Sequence, residues 1–186
     1  MHIEIRALTK EDYRKDFSCG NYELDIFFQK FASQNQFKHY IGLTYVALLN
    51  HKIVAFATIS ASSIRVEKLP TQYIKKLPNY PLPVLRISRF AVDITYQNKG
   101  IAKSLLKFIL NLSIEQKNKF GCMGIIVDAK EDSVSYYEQF DFETINIIQG
   151  QLDVRPYAKT MFLSMHTIMK AINNSSQNHK GTSKNS

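Results

Sequence analysis

The sequence predicts an α/β fold with strands and helices combined around a mixed sheet. Three observations carry that reading. Ile3, Ile5 and Ala7 alternate with polar residues, and two strand-like runs, Leu43–Leu49 and Lys52–Ile64, meet at Asn50-His51. Ile101, Leu105, Phe108, Ile109 and Leu112 recur at the spacing of one helical face. The second half then reads as strand, helix, strand, helix, strand.

Ile3, Ile5 and Ala7 alternate with polar residues and predict a first strand. Residues 21–39 carry Ile26, Phe27, Phe28, Phe31 and Ala32 at near-helical spacing, and Gly20-Asn21 is a fitting start. Leu43–Leu49 and Lys52–Ile64 read as antiparallel strands joined at Asn50-His51. Pro78, Pro81 and Pro83 mark residues 66–82 as loop with room for one helical turn. A strand over 84–92 leads into a helix over 99–118, about 30 Å long at 20 residues. Residues 123–127 read as a short strand, 132–140 as helix, 143–148 as strand and 160–165 as a last strand. Residues 1–168 form the predicted domain. Residues 169–186 form a basic, polar tail with no large apolar residue after Asn173, so it is expected to be disordered.

The chain has 186 residues, 45% hydrophobic and 22% charged, which suits one domain and excludes wholesale disorder or a collagen-like repeat. Its two cysteines, Cys19 and Cys122, are too few for a disulfide scaffold and have no metal-ligand spacing, so no metal is expected. The first residues lack the pattern of a signal peptide, and no apolar run approaches the ~20 residues that span a bilayer. A cytoplasmic protein with reduced thiols and no membrane partner is therefore expected. The net charge is +8, and omitting Lys170, Lys180 and Lys184 of the tail leaves +5. Such a field attracts phosphates, whether on a nucleic acid, a nucleotide cofactor or a membrane surface.

The informative stretch joins the strand at 84–92 to the following helix: Asp93-Ile-Thr-Tyr-Gln97-Asn98-Lys99-Gly100-Ile101-Ala102-Lys103-Ser104. The first turn of a helix leaves backbone N–H groups without intrahelical partners, and the helix dipole adds positive potential there. Together they make an anion site. Gly100 permits close backbone approach, and Lys99 and Lys103 add charge. The alternative for this stretch alone is an ordinary strand-to-helix turn with solvated lysines.

Gln97-x-x-Gly100-x-Ala102, after a strand ending Arg89-Phe90-Ala91-Val92-Asp93, resembles the acetyl-CoA pyrophosphate loop of the GNAT N-acetyltransferases. Thirty residues on, Asp128-Ala-Lys-Glu-Asp-Ser133-Val-Ser-Tyr136-Tyr137-Glu-Gln-Phe140-Asp141-Phe142 resembles that family's later Ala-x-x-Phe-Tyr-x-x-x-Gly-Phe segment. Cys19-Gly20-x-x-x-Leu24-Asp25 narrows the resemblance to the branch that acts as the toxin in type II toxin–antitoxin pairs. It covers residues 1–168. Asp141 stands where the family usually has glycine, a site that calls for positive φ, which Asp tolerates better than most residues. Ser133 replaces the usual Ala, and the loop ends Gly-x-Ala.

The resemblance implies a mostly antiparallel sheet with flanking helices and acetyl-CoA as acetyl donor. It implies that Phe90, Ala91 and Val92 donate backbone N–H groups to the thioester and pantetheine. It places the phosphates on the stretch from Gln97 through Asn98, Lys99, Gly100, Ile101, Ala102 and Lys103 to Ser104. Tyr137 matches the tyrosine that protonates the leaving thiolate, and an ordinary phenol with pKa ≈ 10 is protonated at neutral pH. Tyr136 reads as packing. No general base is evident; Glu131 and Asp132 read as capping residues. A base is dispensable where the amine has a low pKa, and an α-amine near 8 sits far below a lysine. The branch acetylates the α-amine of aminoacyl-tRNA and blocks translation. It implies a cognate ribbon–helix–helix antitoxin and a possible homodimer. Arg65, Lys68, Lys75, Lys76, Arg86 and Arg89 are candidate phosphate contacts, with Arg89 singled out because it lies in the matched motif. The alternatives are a GNAT enzyme acting on a small-molecule amine or protein N-terminus, and a GNAT-like domain that binds acyl-CoA or a partner without turnover.

Overall fold

The computed structural model describes residues 2–75, 77–145 and 158–180. Seven strands follow the order β1-β2-β3-β4-β5-β7-β6 in one sheet: β1 Glu4–Ala7, β2 Leu43–Leu49, β3 Lys52–Ile64, β4 Leu82–Val92, β5 Gly124–Ala129, β6 Glu143–Thr144 and β7 Lys159–Ser164. The pairs β1/β2, β2/β3, β5/β7 and β6/β7 are antiparallel. The helices are α1 Tyr22–Ile26, α2 Ala32–Phe37, α3 Thr71–Ile74, α4 Ile101–Phe120, α5 Val134–Glu138 and α6 Met165–Lys180. Among the described residues no helix is long and apolar enough to cross a membrane. The chain forms two compact units: residues 1–62 with 85–112, and residues 63–84 with 113–186.

The first unit is organised by aromatic rings. Phe28 stacks on Phe56 at 4.2 Å and 8°, and Phe17 meets both edge-on at 4.9 and 5.3 Å. Leu8, Val46, Leu48, Ile53 and Ala91 complete this cluster. The hairpin turn at Asn50 and His51 has φ of 48° and 63°, the left-handed pair that matches the right-handed twist of two strands joined by two residues. Buried Gln36 donates to the Leu8 carbonyl at 2.8 Å and accepts from the Thr44 N–H at 2.9 Å, so one amide ties the segment after β1 to β2. Thr44 and Thr58 face each other in register and share a hydroxyl bond of 2.8 Å.

The helix expected over 21–39 is interrupted. A π turn, Phe27–Phe31, separates α1 from α2. Phe28, Ala32 and Gln36 are all buried and recur every four residues. Four residues overshoot a 3.6-residue turn, and the wider π turn absorbs the excess. Its closing bond runs from the Ala32 N–H to the Phe27 carbonyl.

The second unit has its own core of Ile64, Val66, Leu69, Leu82, Val84, Ile126, Ile145 and Phe162, with Tyr73 edge-on to Phe162 at 5.8 Å. The region 66–82 supplies two short helical pieces, Val66–Lys68 and α3, rather than the single turn expected. The strand expected over 143–148 is confined to β6 where it is described; residues 146–148 lie outside the described residues. The largest departure is at the end. Backbone helix continues to Lys180, through residues 173–180 that composition assigned to a disordered tail; residues 181–186 lie outside the described residues. Ser164 Oγ accepts from the Thr167 N–H at 3.1 Å and starts α6, and Met165 and Ile168 are buried. Once a turn is nucleated, each further residue adds a hydrogen bond for little cost, so polar residues can follow.

Candidate active site

The segment between β4 and α4 lies in the first unit. Buried Asp93 ends β4: its N–H donates to the Val54 carbonyl at 2.9 Å. Its carboxylate accepts from the Thr95 N–H at 2.9 Å and the Thr95 hydroxyl at 2.6 Å. This Asx turn leads into a 3₁₀ turn, Ile94–Tyr96. The exposed Gln97 side chain donates to the Val92 and Cys19 carbonyls, each at 3.1 Å, so it ties the loop to the chain at Cys19. That second segment is itself held by Asp25, which accepts from the Cys19 N–H at 2.7 Å and the Ser18 hydroxyl at 2.9 Å. Asn21 caps α1 by accepting from the Leu24 N–H at 3.2 Å, as the sequence led one to expect. Asp93, Asp25 and the strap made by Gln97 were not assigned roles from sequence. The signal was there in Asp93-x-Thr95, a spacing at which a carboxylate bonds the backbone two residues on.

Asn98 and Gly100 both adopt left-handed backbone, at φ 59° and 79°, and turn the chain into α4. The first bond of α4 runs from the Ser104 N–H to the Gly100 carbonyl at 3.1 Å. The N–H groups of Ile101, Ala102 and Lys103 therefore precede the ladder and head a 20-residue helix. A Cβ at Gly100 would meet nothing within 4 Å, so open space lies over this turn. Protein crowding thus does not require the glycine; its backbone angle does. Lys99 folds back, donating to the Thr95 carbonyl at 2.9 Å and lying 5.2 Å from the centre of the Tyr96 ring. Lys52 lies 5.3 Å from the same ring. The result is a cationic turn with backbone donors and room above it, an arrangement suited to a phosphate.

On β4, Phe90 and Val92 are half-buried and Ala91 is buried in the aromatic cluster. Arg89 is exposed; its guanidinium lies 5.0 Å from the centre of the Phe27 ring and donates to the Ser88 carbonyl at 2.7 Å. Arg86 is half-buried. Arg65, Lys68 and Lys75 belong to the second unit, and Lys76 lies outside the described residues.

Tyr137 also belongs to the second unit, on α5. It is 5% exposed, with the rings of Tyr136 and Phe142 each 5.4 Å away. The helix ends in a Schellman pattern: the Phe142 N–H donates to the Tyr137 carbonyl at 3.3 Å and the Asp141 N–H to the Glu138 carbonyl at 3.0 Å. Asp141 takes the left-handed position, φ 62°, as its place in the motif required. The Tyr137–Phe142 contact is the apolar clasp that accompanies this cap, so the end of the helix orients the Tyr137 ring. Burial and the neighbouring Tyr136 push the Tyr137 phenol well above its ordinary value, and burial pushes Tyr136 up to about 12. Both remain protonated, and able to donate, across the neutral range. Asp141→Gly is expected to stabilise the fold by about 0.5 kcal/mol, because relief of a left-handed penalty of about 1 kcal/mol outweighs the greater unfolded-state freedom of glycine. The midpoint of urea denaturation measures it, and a lower midpoint would contradict the strain assigned to this cap.

Residues 17–151 match the acetyltransferase (GNAT) domain family. The chain belongs to the GNAT acetyltransferases. This GNAT chain is 28% identical over 141 residues to a tRNA-acetylating toxin of Mycobacterium tuberculosis, a match spanning 74% of this chain and 82% of the other. Its fold is that of the AtaT toxin complexed with acetyl-methionyl-tRNAfMet, with TM-score 0.80, 21% identity and coverage of 92% of this chain and 99% of AtaT. It also matches a tyrosine-to-phenylalanine mutant of AtaT bound to the C-terminus of the antitoxin AtaR and acetyl-CoA, with TM-score 0.72, 18% identity and coverage of 93% and 99%. The expected mixed, mostly antiparallel sheet with flanking helices is therefore present, and the GNAT chain is an N-acetyltransferase.

Proposed function

We propose that this N-acetyltransferase transfers acetyl from acetyl-CoA to the α-amine of an aminoacyl-tRNA and thereby blocks translation. The observation that carries the cofactor half is the left-handed pair Asn98 and Gly100, which leads the chain into α4 with three backbone N–H groups outside the ladder at its head and open space over Gly100. The phosphates of acetyl-CoA bind there, and the N–H groups of Phe90, Ala91 and Val92 orient the thioester. The neutral amine attacks the thioester carbon, the C–S bond breaks with its electron pair going to sulfur, and the Tyr137 hydroxyl protonates that sulfur. The proton released by the new amide returns to the phenolate or to water. Burial keeps the Tyr137 phenol protonated across the neutral range, so a donor is in place as charge develops on the leaving sulfur, which supports this role.

The tRNA-acetylating relative and the net charge of +8 support the nucleic-acid half. The fold likeness to AtaT bound to the C-terminus of the antitoxin AtaR supports a cognate antitoxin as the restraining partner; the sequence resemblance adds that this antitoxin is of the ribbon–helix–helix class, that the enzyme works in the cytoplasm and that it is capable of forming a homodimer.

The test is incubation with labelled acetyl-CoA and bulk charged tRNA, with uncharged tRNA and polyamines alongside. Label on charged tRNA alone is the expected result. Label on polyamines alone would replace the substrate with a small amine, and no transfer with acetyl-CoA still bound would favour a binding module. Affinity for tRNA is expected to fall steeply as salt rises, with a linear log–log slope. A flat salt dependence in a fluorescence anisotropy titration would remove the electrostatic basis for a tRNA substrate.

A further inference from the structure

We infer that Phe27 is a positioning residue that holds the Arg89 guanidinium as a receptor for a phosphate of the amine-bearing substrate. The assignment rests on the aminoacyl-tRNA reading above. Side chains alternate along β4, so Arg89 shares a face with Ala91, which is buried against Phe28 and Phe56. On that face the Arg89 guanidinium lies 5.0 Å from the centre of the Phe27 ring, within cation–π range. Phe27 is in turn backed by Phe56, with ring centres 6.3 Å apart and planes at 25°. Phe27 opens the π turn, and its carbonyl accepts the closing bond of that turn from Ala32. The inserted residue that aligns Phe28, Ala32 and Gln36 with the core is thus also the feature that begins at the ring under Arg89.

Arg89 Nη1 donates to the Ser88 carbonyl at 2.7 Å, which fixes the head group while leaving the rest of the donor fork unused. Among the described residues it makes no ion pair. A planar, preoriented guanidinium with open donors matches a phosphate in a way a lysine would not.

Its position along the strand separates two possible phosphates. The loop proposed for the cofactor follows the C-terminal end of β4, beyond Val92. Arg89 precedes Val92 by three residues, about 10 Å of extended chain in the opposite direction. The thioester segment Phe90–Val92 therefore lies between two anion receptors. One serves the donor, and Arg89 is on the side left for the acceptor. An amine esterified to the end of an RNA brings a phosphodiester with it, whereas a polyamine or a free amino ester brings none.

The variants are Phe27→Leu, Phe27→Tyr and Arg89→Gln in the full chain, assayed with labelled acetyl-CoA against bulk charged tRNA and against a panel of amino-acid methyl esters. Phe27→Leu keeps the bulk and removes the ring; KM for charged tRNA is expected to rise about two- to fivefold. The KM for acetyl-CoA, the kcat and the rate on methyl esters stay unchanged, and Phe27→Tyr restores the wild-type KM. Arg89→Gln is expected to reduce the salt slope of tRNA binding by about one. Equal losses on tRNA and methyl esters, or a raised KM for acetyl-CoA, would overturn the assignment. If the wild-type enzyme acetylates no charged tRNA, the proposed substrate fails, and the salt slope with uncharged tRNA decides this inference by itself. An unchanged slope in Arg89→Gln overturns it.

Discussion

Tyr137→Phe should lower kcat for acetyl transfer by about a hundredfold or more, the usual contribution of a positioned general acid. The substitution keeps the ring and removes only the hydroxyl. The edge-on contacts to Tyr136 and Phe142 at 5.4 Å persist, as does the backbone cap in which the Tyr137 carbonyl accepts from Phe142. The folded protein and its affinity for acetyl-CoA should therefore be nearly unchanged, which separates a lost proton donor from a damaged core. The pH dependence gives a second readout. Burial raises the folded-state pKa of this phenol above its unfolded value near 10. Loss of the donor by ionisation should thus begin only above pH 10, and no downward limb below that pH belongs to Tyr137. The same shift contributes stability that is present below the unfolded value and lost as pH rises toward the folded one. Steady-state kcat together with a thermal melt makes the measurement. A mutant with wild-type kcat would show that another group, or solvent, protonates the thiolate.

Gly124→Ala should cost more stability than any surface change, about 3 kcal/mol or more, at the upper end of what overpacking costs. Gly124 opens β5, opposite Ser164 of β7. A Cβ there would collide with the Leu163 carbonyl oxygen and lie 2.7 Å from Cε2 and 3.0 Å from Cζ of Phe162. The oxygen belongs to the sheet backbone and cannot step aside without breaking the ladder. Phe162 is 1% exposed and packs with Ile126, Ile145 and Val84, so it has nowhere to turn. Urea denaturation of the soluble fraction measures the loss. A midpoint within error of wild type would mean that β5 and β7 can separate at this point, contrary to the packing.

Local rules were enough for much of this molecule. Asn50-His51 between two apolar strand-like runs specifies a hairpin because Asn and His are among the residues that best tolerate left-handed angles. The apolar stripe from Ile101 to Leu112 specifies α4, and the motif around Tyr137 placed a left-handed residue at Asp141 although the residue is not glycine. The turn at Gly100 into α4 was legible because a strand running through a short polar, glycine-bearing stretch into an apolar stripe marks a helix start, which leaves its first N–H groups outside the ladder.

Other features needed distant partners. The π turn at Phe27–Phe31 exists because Phe28, Ala32 and Gln36 must all turn inward, against Leu8, Phe17 and residues of β2, β3 and β4, and nothing within the helix sequence announces that demand. Gln36 reads as a surface residue until Leu8 and Thr44 supply its partners. Residues 173–180 contain no apolar side chain to drive folding, and their helix is an extension of one begun by Ser164, Met165 and Ile168. The gap between these groups has one physical cause. The sequence by itself determined what depends on backbone angles, short-range periodicity and unpaired groups at chain turns. Only the tertiary structure decided what depends on burial against residues far along the chain: the break in the first helix, the intolerance of a side chain at Gly124, the pairing of Arg89 with Phe27, and the buried environment that keeps the Tyr137 proton in place.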